Sequence, residues 1–367
     1  MNSRSFSIAI ASALLASAAF SAGCGGDTSS GTSASGTGGS TGTSTSTGAT
    51  TSAGTTTSTS AGTGTGGASA APEVVFAFDP AKGQFVEGLD IKGGVAYVGA
   101  LPTGQIVTVD LAKHTVADYG ATPTFPMNGG ALVGLTLGAD GALYAALHVT
   151  AAGGPKTGIY RVAPGGGAAT LFASDPMMAF ANDLRFNAKG ELLVSDSISG
   201  KIFKVAKDGT VSTWLSHALL TPDPTVCGEN TMFHLGINGF VLSGGAYYAT
   251  NTDRASIVKI PVNADGSAGT PEIFVATDCK KLSGADGIAV DESTGDLFVA
   301  VNYKNTVLRI RKDKSVETVA TGDPLQSPAS LFVDSKGGSL YVTCAAFEAL
   351  AADPTKAKPS LLRLPLQ

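Results

Sequence analysis

Four side chains with oxygen donors occupy the same position in a repeated pattern. Each stands at the head of a short apolar segment, in Glu87-Gly-Leu, Asn182-Asp-Leu, Asn238-Gly-Phe and Asp286-Gly-Ile. Carboxylate and amide oxygens are ligands of hard divalent cations, and two carboxylates balance the charge of one such ion. Asn-Gly and Asp-Gly are also common turn dipeptides, but their shared register favours a site. We therefore predict that these four residues bind one divalent metal ion.

The segments that carry these residues belong to a repeat of roughly 48 residues. A turn that contains glycine and a second apolar segment follow each head, and a third and a fourth segment follow in most units. The equivalent heads are Glu87, Val133, Asn182, Asn238, Asp286 and Ala329.

Six such units predict an all-β protein, a six-bladed β-propeller with four-stranded blades. The last unit lacks a fourth strand, and the segment Val74-Val-Phe-Ala-Phe78 before the first unit can supply it. We therefore expect the ring to be closed by the N-terminal strand at 74–78. In such a ring the first strands line the central channel, so the six heads converge at one mouth.

The segments after the second strands open at the same mouth. They carry His148, Asp196, Asn251 and Asn302. We expect Asp196, Asn251 and Asn302 to orient the ligands or to contact substrate. His148, together with His234 four residues before Asn238, is a candidate proton acceptor. The alternative is that either histidine is a residue of the rim whose hydrogen bonds are satisfied and which has no catalytic role.

The cysteines indicate one disulfide. Cys227 lies eleven residues before Asn238, and Cys279 lies seven residues before Asp286. Both therefore fall in loops that lead into neighbouring blades on the mouth side, and we predict that they are paired. Cys344 lies in an apolar strand and is expected to be a buried small hydrophobe.

The N-terminal part is typical of an exported protein. Residues 5–23 are apolar and small, follow Arg4 and predict a signal peptide over 1–23. The following Cys24 ends a Ser-Ala-Gly-Cys sequence that is similar to a bacterial lipobox, so we expect it to be lipidated, with simple cleavage and release as the alternative. Up to residue 71 the chain is Gly, Ser, Thr and Ala with one charge, which predicts a disordered linker. The domain then spans 72–367.

Location and partners follow from this organisation. We expect a lipoprotein of the cell envelope, at the outer membrane or cell surface, or otherwise a periplasmic or secreted protein. The net charge is -5 without a basic run, which argues against nucleic acid as a partner. We expect a monomer that acts on a small-molecule substrate and meets a membrane only through its lipid anchor.

The order and spacing of the motifs resemble the senescence marker protein/gluconolactonase family, also called regucalcin-like. The resemblance rests on VEGL, FANDL, INGF and ADGIAV and covers about 80–365. It implies one divalent metal in the channel, with calcium first and zinc or manganese as alternatives, held by Glu87, Asn182, Asn238 and Asp286. Phe180 stands where sugar-lactone members carry an arginine, so a less polar substrate than an aldonolactone is expected.

The resemblance also implies an activity, the metal-dependent hydrolysis of a lactone or related ester. Asp286 is the family's usual base or nucleophile. A carboxylate bound to a cation is a weak base, so His148 and His234 remain alternative catalytic residues. Two other functions stay open: a non-catalytic propeller that binds at the cell surface, and a strictosidine synthase-like or lyase activity on the same fold.

Overall fold

The computed structural model describes residues 71–126, 129–228 and 234–366. These residues form six sheets, one for each predicted unit, and so confirm the six-bladed β-propeller; all strand pairs are antiparallel except that of one short added strand in blade 1. The predicted signal peptide, Cys24 and nearly all of the linker lie outside the described residues. Within the described ranges, no helix has the length and hydrophobicity needed to cross a bilayer.

The blades follow one another along the chain. Blade 1 contains β2 (Val86–Lys92), β3 (Val95–Ala100), β4 (Gln105–Asp110), β5 (Thr115–Ala121) and a short added strand, β9 (Gly167–Ala168). Blade 2 contains β6 (Gly130–Leu137), β7 (Leu143–Val149), β8 (Gly158–Val162) and β10 (Thr170–Ala173). Blade 3 contains β11 (Ala181–Phe186), β12 (Leu192–Asp196), β13 (Lys201–Val205) and β14 (Val211–Ser216).

The second half of the ring repeats this arrangement. Blade 4 contains β15 (Ile237–Ser243), β16 (Ala246–Asn251), β17 (Ser256–Pro261) and β18 (Glu272–Val275). Blade 5 contains β19 (Ala285–Asp291), β20 (Asp296–Val301), β21 (Thr306–Ile310) and β22 (Val316–Thr321). Blade 6 contains β23 (Pro328–Asp334), β24 (Ser339–Cys344), β25 (Ser360–Pro365) and β1 (Glu73–Ala77).

The N-terminal strand closes the ring. Strand β1 pairs antiparallel with β25, with Val74 opposite Leu362. An ion pair between Glu73 and Arg363 reinforces the edge of this pairing. The outermost strand of the last blade therefore comes from the start of the domain, as the missing fourth strand of the last unit predicts.

The core lies between blades rather than within them. One cluster joins Ala146 and Ile159 of blade 2 to Leu184 and Val194 of blade 3, all fully buried. A single sheet of strands this short cannot cover its own apolar faces, so each blade is stabilised by its neighbours. The inner strands, and the residues at their heads, are consequently fixed by packing on both sides.

Short helices occur only in the connections of the described chain. A six-residue α-helix, Phe347–Ala352, follows the second strand of blade 6 and buries Leu350 beside Phe85. The 3-10 turns are Pro80–Lys82, Ala218–Leu220, Asn302–Lys304 and Pro354–Lys356.

Candidate metal and active site

Each predicted head lies on a β-bulge. In blade 5, Ala285 pairs with Val301 and Ile288 with Val299, so Asp286 and Gly287 together face a single residue of β20. The same break in register occurs at the equivalent position in all six first strands. A bulge re-aims the side chain that it carries. The side chains of the heads therefore depart from the regular alternation of side chains between the two faces of the strand.

The residue after the head sets how closely neighbouring blades approach. A Cβ added to Gly287 would lie 2.2 Å from the carbonyl oxygen of Ala329 in the next blade. At Gly239 the corresponding distance, to the carbonyl oxygen of Asp286, is 2.8 Å. Glycine is needed there for close contact between blades, because a larger residue would force the heads apart.

Blade 3 has Asp183 in place of this glycine. Its Oδ2 accepts a hydrogen bond of 3.0 Å from the backbone N–H of Phe240 in blade 4. Its Oδ1 is 2.9 Å from Nη1 of Arg185. The aspartate thus replaces a backbone contact with a side-chain bridge to the next blade.

Hydroxyl groups opposite three bulges hold the next blade in place. Ser195 Oγ donates to the carbonyl oxygen of Asn238 at 2.7 Å, and Thr250 Oγ1 donates to that of Asp286 at 2.6 Å. Thr343 Oγ1 donates to the carbonyl oxygen of Glu87 at 2.5 Å. Three of the four predicted ligands are therefore fixed through their backbone by the preceding blade.

The structure brings all four predicted ligands together. Glu87, Asn182, Asn238 and Asp286 line one cavity, together with Asp183 and Arg185. Asn182 and Asn238 are each only 4% exposed. Asn182 Nδ2 donates to Asn238 Oδ1 at 2.9 Å, so the two amides are in direct contact.

Burial and neighbouring carboxylates disfavour the ionised forms of Glu87 and Asp286 in the cavity. Burial, followed by the charges of Asp286 and Asp183, raises the pKa of Glu87 well above its usual value. Burial also raises the pKa of Asp286 to about 8, although hydrogen bonds from Asn302 and Asn238 oppose the shift. The guanidinium in the same cavity, that of Arg185, is paired with Asp183. The site therefore favours added positive charge.

This donor set fits a hard divalent cation. Two carboxylates and two amides converge in a cavity whose electrostatics favour positive charge, and these are the donors that calcium accepts. The described residues contain no cluster of three or more His, Cys, Asp or Glu suited to a metal. The candidate site differs from such clusters because half of its donors are amides.

A second ring lies beside the heads. It is formed by the residues two positions after the one opposite each bulge: Leu101, His148, Ser197, Thr252, Asn302 and Ala345. Ser197 Oγ is 2.9 Å from Asn182 Nδ2, and Thr252 Oγ1 is 3.1 Å from Asn238 Nδ2.

Asn302 holds the same place in blade 5. Its Nδ2 donates to Oδ2 of Asp286 at 3.3 Å. The sequence proposed three residues that orient ligands, and of these Asn302 is the one that contacts a predicted ligand in the structure. Ser197 and Thr252 were missed, although both are hydroxyl residues in the same register of neighbouring blades.

The structure gives Asp196 and Asn251 different partners. Asp196 accepts hydrogen bonds from the backbone N–H groups of Phe180 at 2.7 Å and Ser199 at 2.8 Å. Asn251 donates to the carbonyl oxygens of Leu219 and Thr221. Each is the last residue of its strand and directly precedes a residue of the second ring. Its side chain therefore forms hydrogen bonds with the backbone of nearby loops instead of contacting a predicted ligand.

The two candidate histidines lie in different surroundings. His148 belongs to the second ring and stacks on Phe180, with ring centroids 4.4 Å apart. Burial lowers the pKa of His148, and its Nδ1 is buried without a hydrogen-bond partner in the described chain. His234 is 51% exposed, and its Nδ1 lies 3.7 Å from Oδ2 of Asp253.

A disulfide links the loops that lead into blades 4 and 5. Cys227 and Cys279 are joined with a Cα–Cα distance of 5.5 Å and enclose 52 positions of sequence. The bond therefore ties together two mouth-side loops next to Asn238 and Asp286. Cys344 is a buried free thiol, and burial raises its pKa to about 12.

Comparison with known proteins agrees with this architecture. Residues 235–346 match the sequence model of the family described as SMP-30/Gluconolactonase/LRE-like region. No significant match was found among curated proteins.

Similar solved structures share the fold. The calcium-binding protein regucalcin from Agrobacterium tumefaciens strain C58 is 20% identical with a TM-score of 0.57, over 80% of this chain and 93% of that one. A luciferin-regenerating enzyme is 16% identical with a TM-score of 0.57, over 77% and 91%. Virginiamycin B lyase from Staphylococcus aureus is 12% identical with a TM-score of 0.50, over 77% and 96%.

At these identities the structures establish the propeller fold, and the sequence match is confined to one part of the chain. The matched residues run from just before Asn238 to just after Cys344, and so include the heads of blades 4, 5 and 6. In residues 235–346 the chain is therefore similar to the SMP-30/Gluconolactonase/LRE-like region, set in a six-bladed propeller.

Proposed function

We propose that this propeller is a metal-dependent hydrolase of a lactone or related ester. Glu87, Asn182, Asn238 and Asp286 would hold one divalent cation, calcium before zinc or manganese. The observation that carries the proposal is the convergence of Glu87 and Asp286 in one cavity, where each has a raised pKa. Two carboxylates held together in this way are stabilised by a bound cation.

The bound cation would polarise the carbonyl group of the ester and stabilise the negative charge that develops as water adds. The chain's own residues would supply the proton acceptor. His148 suits this role better than His234, because it lies in the second ring and its lowered pKa keeps the imidazole neutral at physiological pH. Asp286 remains the other candidate, with Asn302 fixing its orientation.

The residues at the mouth also favour a substrate with a less polar acyl group. On the side of blades 1 to 3, Leu101, Ala131, Val133 and Phe180 form one apolar cluster next to His148. An apolar wall gains free energy when it covers the hydrocarbon part of a substrate. We therefore favour a lactone or ester with an apolar substituent over a polyhydroxylated sugar lactone.

The proposed setting is the cell envelope. The signal peptide, lipidated Cys24 and linker predicted over 1–71 would place the propeller outside the cytoplasm, as a tethered monomer. Metabolic labelling with a radioactive fatty acid tests the anchor, since a Cys24→Ala variant should lose the label.

Metal analysis and an activity screen test the function together. We expect about one divalent ion per purified chain and hydrolysis of members of a lactone and aryl-ester panel that a chelator abolishes. Glu87→Gln and Asp286→Asn should lose both the ion and the activity, whereas Asp208→Asn, in an exposed turn, should lose neither. Protein that retains no ion after careful purification and shows no chelator-sensitive hydrolysis would favour a non-catalytic binding propeller.

A further inference from the structure

A second cavity lies on the mouth side, between blades 4 and 5. It is lined by Pro224, Cys227, Thr252, Asp253, Ser283 and Tyr303. The disulfide from Cys227 to Cys279 borders it. The cavity is separate from the one that holds the proposed metal ligands, because none of these six residues lines both.

Asp253 gives this cavity an unusual chemical character. The residue is 9% exposed, yet its Oδ2 is buried without a hydrogen-bond partner in the described chain. A backbone hydrogen bond from Leu235 and the charge of His234 both favour its ionised form, while burial raises its pKa. A buried carboxylate oxygen without a donor is costly in free energy, so a donor group placed in the cavity would be stabilised.

The neighbouring basic side chains do not satisfy this oxygen. His234 Nδ1 lies 3.7 Å from Oδ2, which is beyond hydrogen-bond distance. Arg254, the next residue in the chain, directs its guanidinium to Asp223 at 3.3 Å and to the carbonyl oxygen of Thr221 at 3.0 Å. Among the described residues no donor therefore reaches Oδ2, and it can accept one from a ligand.

The cavity is connected to the proposed metal site through one residue. Thr252 lines it, and Thr252 Oγ1 lies 3.1 Å from Nδ2 of the predicted ligand Asn238. The same hydroxyl donates to the carbonyl oxygen of Ala285, directly before Asp286. The cavity that holds Asp253 is therefore separated from the predicted ligand Asn238 by the single residue Thr252.

We propose that this cavity is a subsite for a primary ammonium group of the substrate. The inference rests on the proposed hydrolase function and narrows its substrate to esters or lactones that carry a protonated amine on one substituent. The ammonium group would donate to Oδ2 of Asp253, and the aromatic ring of Tyr303 in the cavity wall adds a surface that attracts cations. The apolar cluster beside His148 would cover the other part of the same substrate.

Direct binding tests the subsite without relying on catalysis. Ethylammonium chloride is titrated into the full-length protein at pH 7 with saturating calcium, and the bound ligand is followed by NMR. We expect binding to the wild type that is about tenfold weaker or more in Asp253→Asn. Asp223→Asn removes one negative charge from the same region and should bind as the wild type does. Absence of binding to the wild type, or equal binding to both variants, overturns the proposal.

Matched substrates extend the test to turnover. The ethyl esters of 3-aminopropanoic and 6-aminohexanoic acids are each compared with their uncharged isosteres, ethyl butanoate and ethyl heptanoate. For at least one length, kcat/KM should favour the charged ester in the wild type by about tenfold, and Asp253→Asn should abolish this preference. A wild type that prefers the uncharged ester at both lengths contradicts the subsite, and this comparison stands even if the variant is unstable. If no ester is hydrolysed, the proposed function fails and the binding experiment decides the subsite alone.

Discussion

Asn302 donates a hydrogen bond from Nδ2 to Oδ2 of Asp286, and the two residues belong to the same blade. The first stands just after the second strand, and the second lies on the bulge of the first strand. The pair shows how one blade carries both a predicted ligand and the residue that orients it. Ser197 with Asn182 and Thr252 with Asn238 repeat the arrangement in blades 3 and 4.

Removing this orienting amide should weaken metal binding without unfolding the domain. In Asn302→Leu, the carboxylate of Asp286 loses a donor and gains rotational freedom, so we expect calcium affinity to fall by about tenfold to a hundredfold. Isothermal titration calorimetry measures the change. Asn263→Leu, in an exposed turn of blade 4, serves as the control. Unchanged affinity in Asn302→Leu would mean that Asp286 is oriented by other contacts.

The stability of the metal-free protein should fall as pH rises. Asp286 ordinarily titrates near pH 3.8 but has a pKa of about 8 in the folded chain. Between these values the folded state binds more protons than the unfolded state, so the free energy of unfolding decreases with increasing pH. A bound cation replaces the proton, and its stabilising effect should therefore grow across this window.

Thermal unfolding with and without calcium checks this sign. The calcium-induced rise in Tm should be larger at pH 8.5 than at pH 5.5 in the wild type. Asp286→Asn, which should not retain the ion, should show no calcium-induced rise in Tm at either pH. A calcium effect that decreases with pH would contradict the raised pKa.

The glycine that follows Asp286 should be intolerant of any side chain. In Gly287→Ala the new Cβ would lie 2.2 Å from the carbonyl oxygen of Ala329, so blades 5 and 6 must move apart. We expect a loss of about 1–3 kcal/mol in stability, as for overpacked sites, and weaker metal binding. Gly245→Ala introduces strain at φ +79 in an open turn and should affect stability but not the metal site. Equal effects of the two variants on metal affinity would rule out a special role for this contact.

The hydroxyl of Thr250 should stabilise the same region through the backbone. Its single proton is shared between the carbonyl oxygens of Asp286 at 2.6 Å and Gly239 at 3.1 Å. Thr250→Val preserves the shape of the side chain but removes this donor from both oxygens, so we expect a loss of about 1–3 kcal/mol measured by urea unfolding. Thr213→Val on an exposed outer strand is the control and should lie near zero. A neutral Thr250→Val would show that water replaces the hydroxyl.

The repeat made the fold and the heads predictable. Because blades are equivalent, alignment of six short segments was enough to bring Glu87, Asn182, Asn238 and Asp286 to one mouth, and the unit without a fourth strand predicted closure by β1. Strand periodicity also located the loops joined by Cys227 and Cys279. These inferences need only the order of elements along the chain.

The details that depend on strand pairing were not predictable. The bulge at each head depends on the register between two strands, which the sequence does not determine. The sequence therefore pointed to Asp196 and Asn251 at the ends of the second strands. The residues that contact predicted ligands, Ser197 and Thr252, each lie one position further along the chain. Among the described residues, Asp253 Oδ2 lacks a hydrogen-bond partner because the side chains of His234 and Arg254 do not reach it. The direction of these side chains does not follow from their nearness in sequence.

The closure of blade 6 by β1 affects when the site can form. Glu73 is synthesised first, and its partner Arg363 follows 290 residues later. Until that partner is available, the earliest strand of the domain has no place in a sheet. Blade 1 meets blade 6 through Thr343, whose hydroxyl donates to the carbonyl oxygen of Glu87. Glu87 therefore joins the other three predicted ligands only after the inner strands of blade 6 have been synthesised.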